Sequence, residues 1–262
     1  MNDSITSQLP DKVSASPSSK LTVWLLMTSA LLASVAGSVV VGQIGNLFKM
    51  PPDFVDMPLA PSPEYLARYN AAISEFHSRN YAIHFGIMGA LLGLAIGLMV
   101  SPKNRLSSAA VASISGAIAA AIGGFFLGLS AAYLVKVNHG ESINLLGVNI
   151  EPIVQTTALQ CFVWALMGIG IGIGCTLGVR GPKRILNGIE GGLIGGLLAG
   201  VVHSMVAASI FSGSSAFSFV PANQTERILW GAVSGSSICL GLIHSVVNRL
   251  PKDLSDEKFN LL

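Results

Sequence analysis

Four ionisable residues stand inside or beside long apolar runs of this chain: Glu190, His203, His244 and His84. Carboxylates and imidazoles bind and pass protons. A charge placed in hydrocarbon costs at least about 2.5 kcal/mol, so such residues are functional candidates by default. Their depth tempers that. Glu190 follows Arg184 by six residues (190 − 184), about 9 Å into a span at 1.5 Å per residue. His244 falls at a similar inner depth, whereas His203 and His84 fall near the outer surface. The placement predicts two interhelical pairs, Glu190 with His244 and His84 with His203. It leaves the midplane, where transporters hold coupling ions, without a charge.

The stretch MGIGIGIGCTLG over 167–178 offers a second chemistry, a glycine loop cradling a phosphate. A dinucleotide fingerprint needs glycines at i, i+2 and i+5 between a strand and a helix. Starting from Gly168, Gly170 or Gly172, the last position is Ile173, Cys175 or Leu177, and the pattern fails each time. No Gly-Lys pair occurs, so a P-loop is absent. The chain also lacks HExxH, CxxC and GxSxG, which removes local support for metal hydrolysis or an esterase elbow. His139-Gly140-Glu141 is too small a group for a metal. Catalytic residues, cofactor and metal are therefore all assigned as none.

Read with a four-residue step, the glycines become helix-packing stripes. They are Gly89–Gly93–Gly97, Gly168–Gly172 and Gly188–Gly192–Gly196–Gly200, with shorter stripes at Gly116–Ala120–Gly124–Gly128, Gly231–Gly235 and Ala33–Gly37. Lipid tails are as apolar as leucine, so helices in a bilayer gain little by hiding apolar surface from one another. Close backbone contact is the main attraction, and small residues four apart permit it.

The elements that carry these residues follow from composition. Of the 262 residues, 51% are hydrophobic and only 11% charged, against about 25% charged in a soluble domain. Too little polar surface remains to face water everywhere. Runs of about 20 apolar residues each cross a hydrocarbon core roughly 30 Å thick. Six are found, at about 21–42, 82–100, 106–135, 157–178, 185–211 and 228–247. The expected fold is all-α, a polytopic bundle of six transmembrane helices with glycine-zipper packing. A Ser/Pro-rich tail over 1–20 is expected to be disordered and cytoplasmic, as is the tail 249–262. The LLASVAG run in the first span resembles a signal-peptide cleavage site, but the mixed charges before it favour an uncleaved anchor. Ser62-Pro63-Glu64 is a helix start, and Tyr65, Leu66, Tyr69, Ile73 and Phe76 recur at helical spacing. They predict an amphipathic helix over 62–80 in an outer loop that runs into the second span, either lying along the membrane surface or packed on the protein's own outer loops.

Lys103 and Arg105, then Arg180, Lys183 and Arg184, then Arg249 and Lys252 mark alternate connections as cytoplasmic. Both termini then lie inside. The partners are the lipid bilayer and, through the glycine stripes, further copies or other membrane proteins. A net charge of +2 gives no footprint for nucleic acid. Cys161, Cys175 and Cys239 read as small packing residues.

Shifting the chain by 79 residues (88 to 167) superposes Met88 on Met167, Gly89 on Gly168, Gly93 on Gly172, Arg105 on Arg184 and Gly116 on Gly195. This is the pattern of a duplicated helical hairpin whose copies enter from the same side. Two functions remain. The first is a non-enzymatic membrane protein of assembly or partner binding. The alternative is a small-solute or ion transporter that uses Glu190. Topology reporters fused after residues 103 and 223 should report opposite sides of the membrane; the same side for both would refute the six-span order.

Overall fold

The computed structural model describes residues 17–54, 61–100, 104–130, 143–145, 148–150, 152–177, 182–210 and 219–247. Of the tail expected to be disordered over 1–20, residues 1–16 lie outside the described residues and Pro17–Lys20 instead begin the first helix; the tail 249–262 and the His139-Gly140-Glu141 group also lie outside the described residues. Six long helices carry the fold: α1 (Pro17–Ile44), α2 (Pro63–Val100), α3 (Arg105–Leu129), α4 (Pro152–Leu177), α5 (Pro182–Ile210) and α6 (Gln224–Leu242). The last ends in a π-helical turn, Ile243–Val247. All six are long and apolar enough to cross a membrane, the make-up of a multi-pass membrane protein. Besides them there is a short 3-10 turn, Pro52–Phe54, and a two-stranded antiparallel hairpin, β1 (Ile143–Leu145) with β2 (Val148–Ile150), in which Ile143 faces Ile150.

The helix expected over 62–80 runs into the second span. Ser62 does start a helix, its Oγ accepting from the Tyr65 amide at 3.1 Å. No break follows, and the segment runs straight into the second span as 38 residues of α2. That is about 57 Å of helix at 1.5 Å per residue, roughly 27 Å more than the hydrocarbon needs. No proline or glycine lies between Glu64 and Phe85 to turn it. The extension instead packs on its own loop, where the Phe54, Tyr65 and Tyr69 rings meet at 5.5–6.4 Å between centroids.

Each helix packs against its neighbour in sequence, and α1 packs against α6, so the six close into a ring. Every seam is antiparallel, as successive contacts show. Along α2 and α3, Gly89 meets Gly116, Gly93 meets Ala112 and Gly97 meets Ala109. Along α4 and α5, Gly168 meets Gly192, Gly172 meets Gly188, and Gly196 and Gly200 meet Trp164 and Cys161. Gly195 and Gly191 lie against Ile238 and Gly241 of α6, and Gly231 and Gly235 against Ser38 and Ser34 of α1. In most of these contacts the neighbour is backbone, so any Cβ would displace a helix rather than a side chain.

The even-numbered helices also touch one another across the ring. In their most apolar stretches 44, 61 and 61% of α2, α4 and α6 is buried, against 33, 33 and 39% of α1, α3 and α5. The outer helices turn aliphatic stripes outward, such as Ile114, Ile118 and Ile122 of α3 and Leu193, Leu197 and Val201 of α5. The interior is filled by Phe85, Met88, Leu92 and Ile96 of α2, Trp164, Met167 and Ile171 of α4, and Trp230, Ile238 and Leu242 of α6.

Replacing Gly172 by Val should lower stability by about 1–3 kcal/mol, the usual result of overpacking a tight contact. Gly86→Ala, whose added methyl would lie 3.4 Å from the Ala121 Cβ, should be close to neutral. Thermal unfolding of both variants in detergent checks the contrast.

Candidate functional site

The inner helices converge on three aromatic rings. Phe85 of α2, Trp164 of α4 and Trp230 of α6 are each fully buried. Their centroids lie 5.6 Å (Phe85–Trp164), 5.4 Å (Phe85–Trp230) and 5.0 Å (Trp164–Trp230) apart, every pair edge-on. That arrangement sets the positive edge of one ring against the negative face of the next. The trio lies toward the end at which α1 finishes and α6 begins, the expected outer end, since His84 beside Phe85 meets the Gly45 carbonyl and Trp230 falls in the second turn of α6.

Side-chain amides tie the outer loops down around it. Asn80 of α2 donates to the carbonyl of Phe48 at 3.0 Å and to that of Phe76 at 2.9 Å, and accepts from the Phe48 amide at 3.1 Å. The Arg79 guanidinium covers the Phe48 ring at 5.3 Å. On α4, Gln160 accepts from Trp164 Nε1 at 2.9 Å and donates to the Phe219 carbonyl at 3.1 Å. On α6, Arg227 donates to the carbonyls of Pro221 (3.0 Å) and Ala222 (2.7 Å). Asn223, part of a sequon in the sequence, instead serves as the helix N-cap, accepting from the Glu226 amide at 2.8 Å.

The four ionisable candidates separate. His84 is buried and its Nε2 lies 2.8 Å from the Gly45 carbonyl, in the turn that ends α1. Gly45 itself has φ +60° and returns its amide to Val41, a left-handed helix cap. His203 is buried on α5, which packs on α4 and α6, so the expected His84–His203 pair does not form. Glu190 is half-buried, and it shares its helix face with Leu186 and Leu197, four residues before and seven after, both exposed. That face points away from the ring interior. His244 is exposed in the π-helical turn. Glu190 and His244 do share a level, since the next residue, Gly191, faces Gly241, Leu242 and Ser245 of α6.

Of the buried polar atoms without a partner, sequence reasoning singled out those of His84 and His203 and missed the rest. Several hydroxyls in the bundle bond the carbonyl four residues back, as Ser34, Ser38, Ser115, Thr176 and Ser237 do, the usual behaviour in lipid. Another set is buried without any partner: His84 Nδ1, Thr156 Oγ1, His203 Nδ1, Ser204 Oγ, Trp230 Nε1 and Ser234 Oγ, with Ser108 and Ser245 further in. The signal for Ser108, Thr156, Ser204, Ser234 and Ser245 was a hydroxyl within an apolar run, a pattern that usually reads as bonding its own helix. Among the described residues, no group of three or more His, Cys, Asp or Glu side chains is placed to hold a metal ion.

No protein-family model matches the chain, and no curated protein or solved structure is significantly similar to it.

Asn80→Ala should destabilise the outer end by about 1–3 kcal/mol, because the Phe48 amide and carbonyl lose their partner. Hydrogen exchange should show faster exchange at Phe48 with little change at α4 and α5.

Proposed function

We propose that the protein is non-enzymatic and passes a small solute along the axis of its six-helix ring, and that the arrangement described is the shut state. The carrying observation is the aromatic trio. Three helices of the same direction bring large rings to one level, and Trp230 Nε1 in the trio, with Ser234 Oγ one turn on and His84 Nδ1 beside Phe85 in sequence, is buried with no protein partner. A core built for stability alone favours apolar residues or fully bonded networks, because a buried orphan polar group costs about 1–3 kcal/mol. Polar side chains inside a membrane bundle more often mark a path.

The duplicated hairpin supports the same view, since the 79-residue shift that pairs Gly89 with Gly168 also pairs Phe85 with Trp164 (85 + 79 = 164). Two copies of a hairpin then contribute matching walls to one axis. Glu190 lies off that axis, on the outward face of α5, so solute passage does not run through it. Assembly through glycine stripes has less to stand on, because glycines of every long stripe face neighbouring helices of the same chain. What remains outward is an aliphatic surface suited to lipid.

The test uses purified protein in liposomes and a panel of urea, glycerol, potassium ions and protons. Trp164→Ala, which removes one wall of the shut constriction, should raise permeation of at least one of these above wild type. Glu190→Gln should leave permeation unchanged. A correctly inserted Trp164→Ala protein as tight as protein-free vesicles would remove the axial path and return the role to assembly or partner binding.

A further inference from the structure

At the junction of α1, α2 and α6 a single proton would change the balance of forces. His84 of α2 is buried, and its Nε2 lies 2.8 Å from the carbonyl of Gly45, in the turn that ends α1. A carbonyl can only accept, so Nε2 carries the hydrogen of the neutral ring. Nδ1 is left buried with no partner. Gly45 holds its turn in the left-handed region at φ +60° and returns its amide to Val41. Just before it, Gly42 is covered by the Arg227 guanidinium and the Gln224 amide of α6, with no space for a methyl group. Arg227 is itself held by the carbonyls of Pro221 and Ala222. Its charge is within electrostatic reach of His84.

Other titratable groups flank this junction among the described residues. Glu226 is buried on α6, one turn before Trp230. On α2 the neighbours are His77, Arg79 and Tyr81, and Arg79 is paired with Glu75 and covers the Phe48 ring. Lys49 follows the turn that ends α1. The outer half of α3, from Ala117 to Leu129, carries none. The outer half of α4 carries only Cys161, which lies against Gly200 of α5. Of these charges, Arg227 is the one that acts on His84.

A proton added at Nδ1 leaves the bond to Gly45 in place. It also turns the ring into a cation whose buried N–H meets no acceptor, with a second cation close by. A buried unpaired charge costs more than one strengthened hydrogen bond returns. Water at Nδ1 removes that cost, and parting the end of α1 from α2 and α6 admits it. We propose that His84 is an acid-sensitive latch on the outer end of the bundle. Neutral, it ties the end of α1 to α2 and keeps the mouth above Phe85, Trp164 and Trp230 shut; protonated, it drives that end apart. The gating role rests on the axial path proposed above, whereas the latch stands without it.

Latch and path are read separately on the full-length protein. An imidazole in water takes its proton near pH 6.5, so hydrogen exchange in nanodiscs is compared at about pH 7.5 and about pH 5.5. After correction for the intrinsic effect of pH, coupling to one proton should raise exchange of the 41–48 amides by about tenfold over that interval. His84→Gln keeps a donor for the Gly45 carbonyl without a titration and should show no rise. Arg227→Gln removes the like charge and should shrink the rise. In liposomes at equal pH on both sides, wild type should pass urea, glycerol or potassium ions faster in acid, and His84→Gln should not. Exchange that is flat with pH in wild type, or rises equally in His84→Gln, would overturn the latch. Flux that rises with acid equally in both proteins would overturn its gating role. A His84-dependent rise in exchange, with no flux through wild type or Trp164→Ala at either pH, would keep the latch and overturn the path.

Discussion

Close approach of helix backbones is the constraint on which the rest of this structure depends. At Gly89, Gly93, Gly168, Gly172, Gly192 and Gly196 the neighbour is a peptide carbonyl of the next helix, with no space for a methyl group. In lipid this contact takes the role that apolar burial has in water, because dispersion and weak Cα–H···O contacts are what remain when no water is to be released. Close seams also fix direction and register. In an antiparallel pair whose glycines meet at Gly168–Gly192 and Gly172–Gly188, a slip of one residue would bring Leu193 against Gly168 and Ile189 against Gly172.

Register in turn decides what reaches the interior. With small residues turned to the seams, the large side chains of α2, α4 and α6 point to the axis, where Phe85, Trp164 and Trp230 meet. The odd-numbered helices are left with aliphatic outward stripes. The polar atoms follow the same geometry. Ser34 and Ser38, on the α1 seam, bond their own helix, whereas Ser234, one residue from the seam glycine Gly235, is buried without a partner.

The outer end is held differently. There the backbone leaves helical geometry, and its amides and carbonyls need partners from side chains. Asn80, Gln160 and Arg227 supply them, each from a different inner helix. The trio is thus bounded by glycine contacts on its inner side and by a polar lacing of loops on its outer side. Loosening of that lacing is a smaller change than loosening of the seams, since hydrogen bonds near water can be exchanged for water.

Much of the architecture was legible in the sequence because hydropathy and residue size are local properties. Apolar length determined six spans, and the glycine spacing determined which faces pack closely. Ser62 determined where α2 begins. The sequence did not determine that α2 continues unbroken, because an amphipathic start and an apolar continuation read alike whether the helix bends or not. Nor could it place the ionisable residues: Glu190 faces outward, His84 binds the turn after α1, and His203 sits apart from it, since depth along a helix says nothing of its rotation or its neighbours. The aromatic trio drew no notice, because Phe85, Trp164 and Trp230 are far apart in the chain and ordinary as residues. Only the closure of α6 onto α1, which places all three even helices around one axis, brings them together.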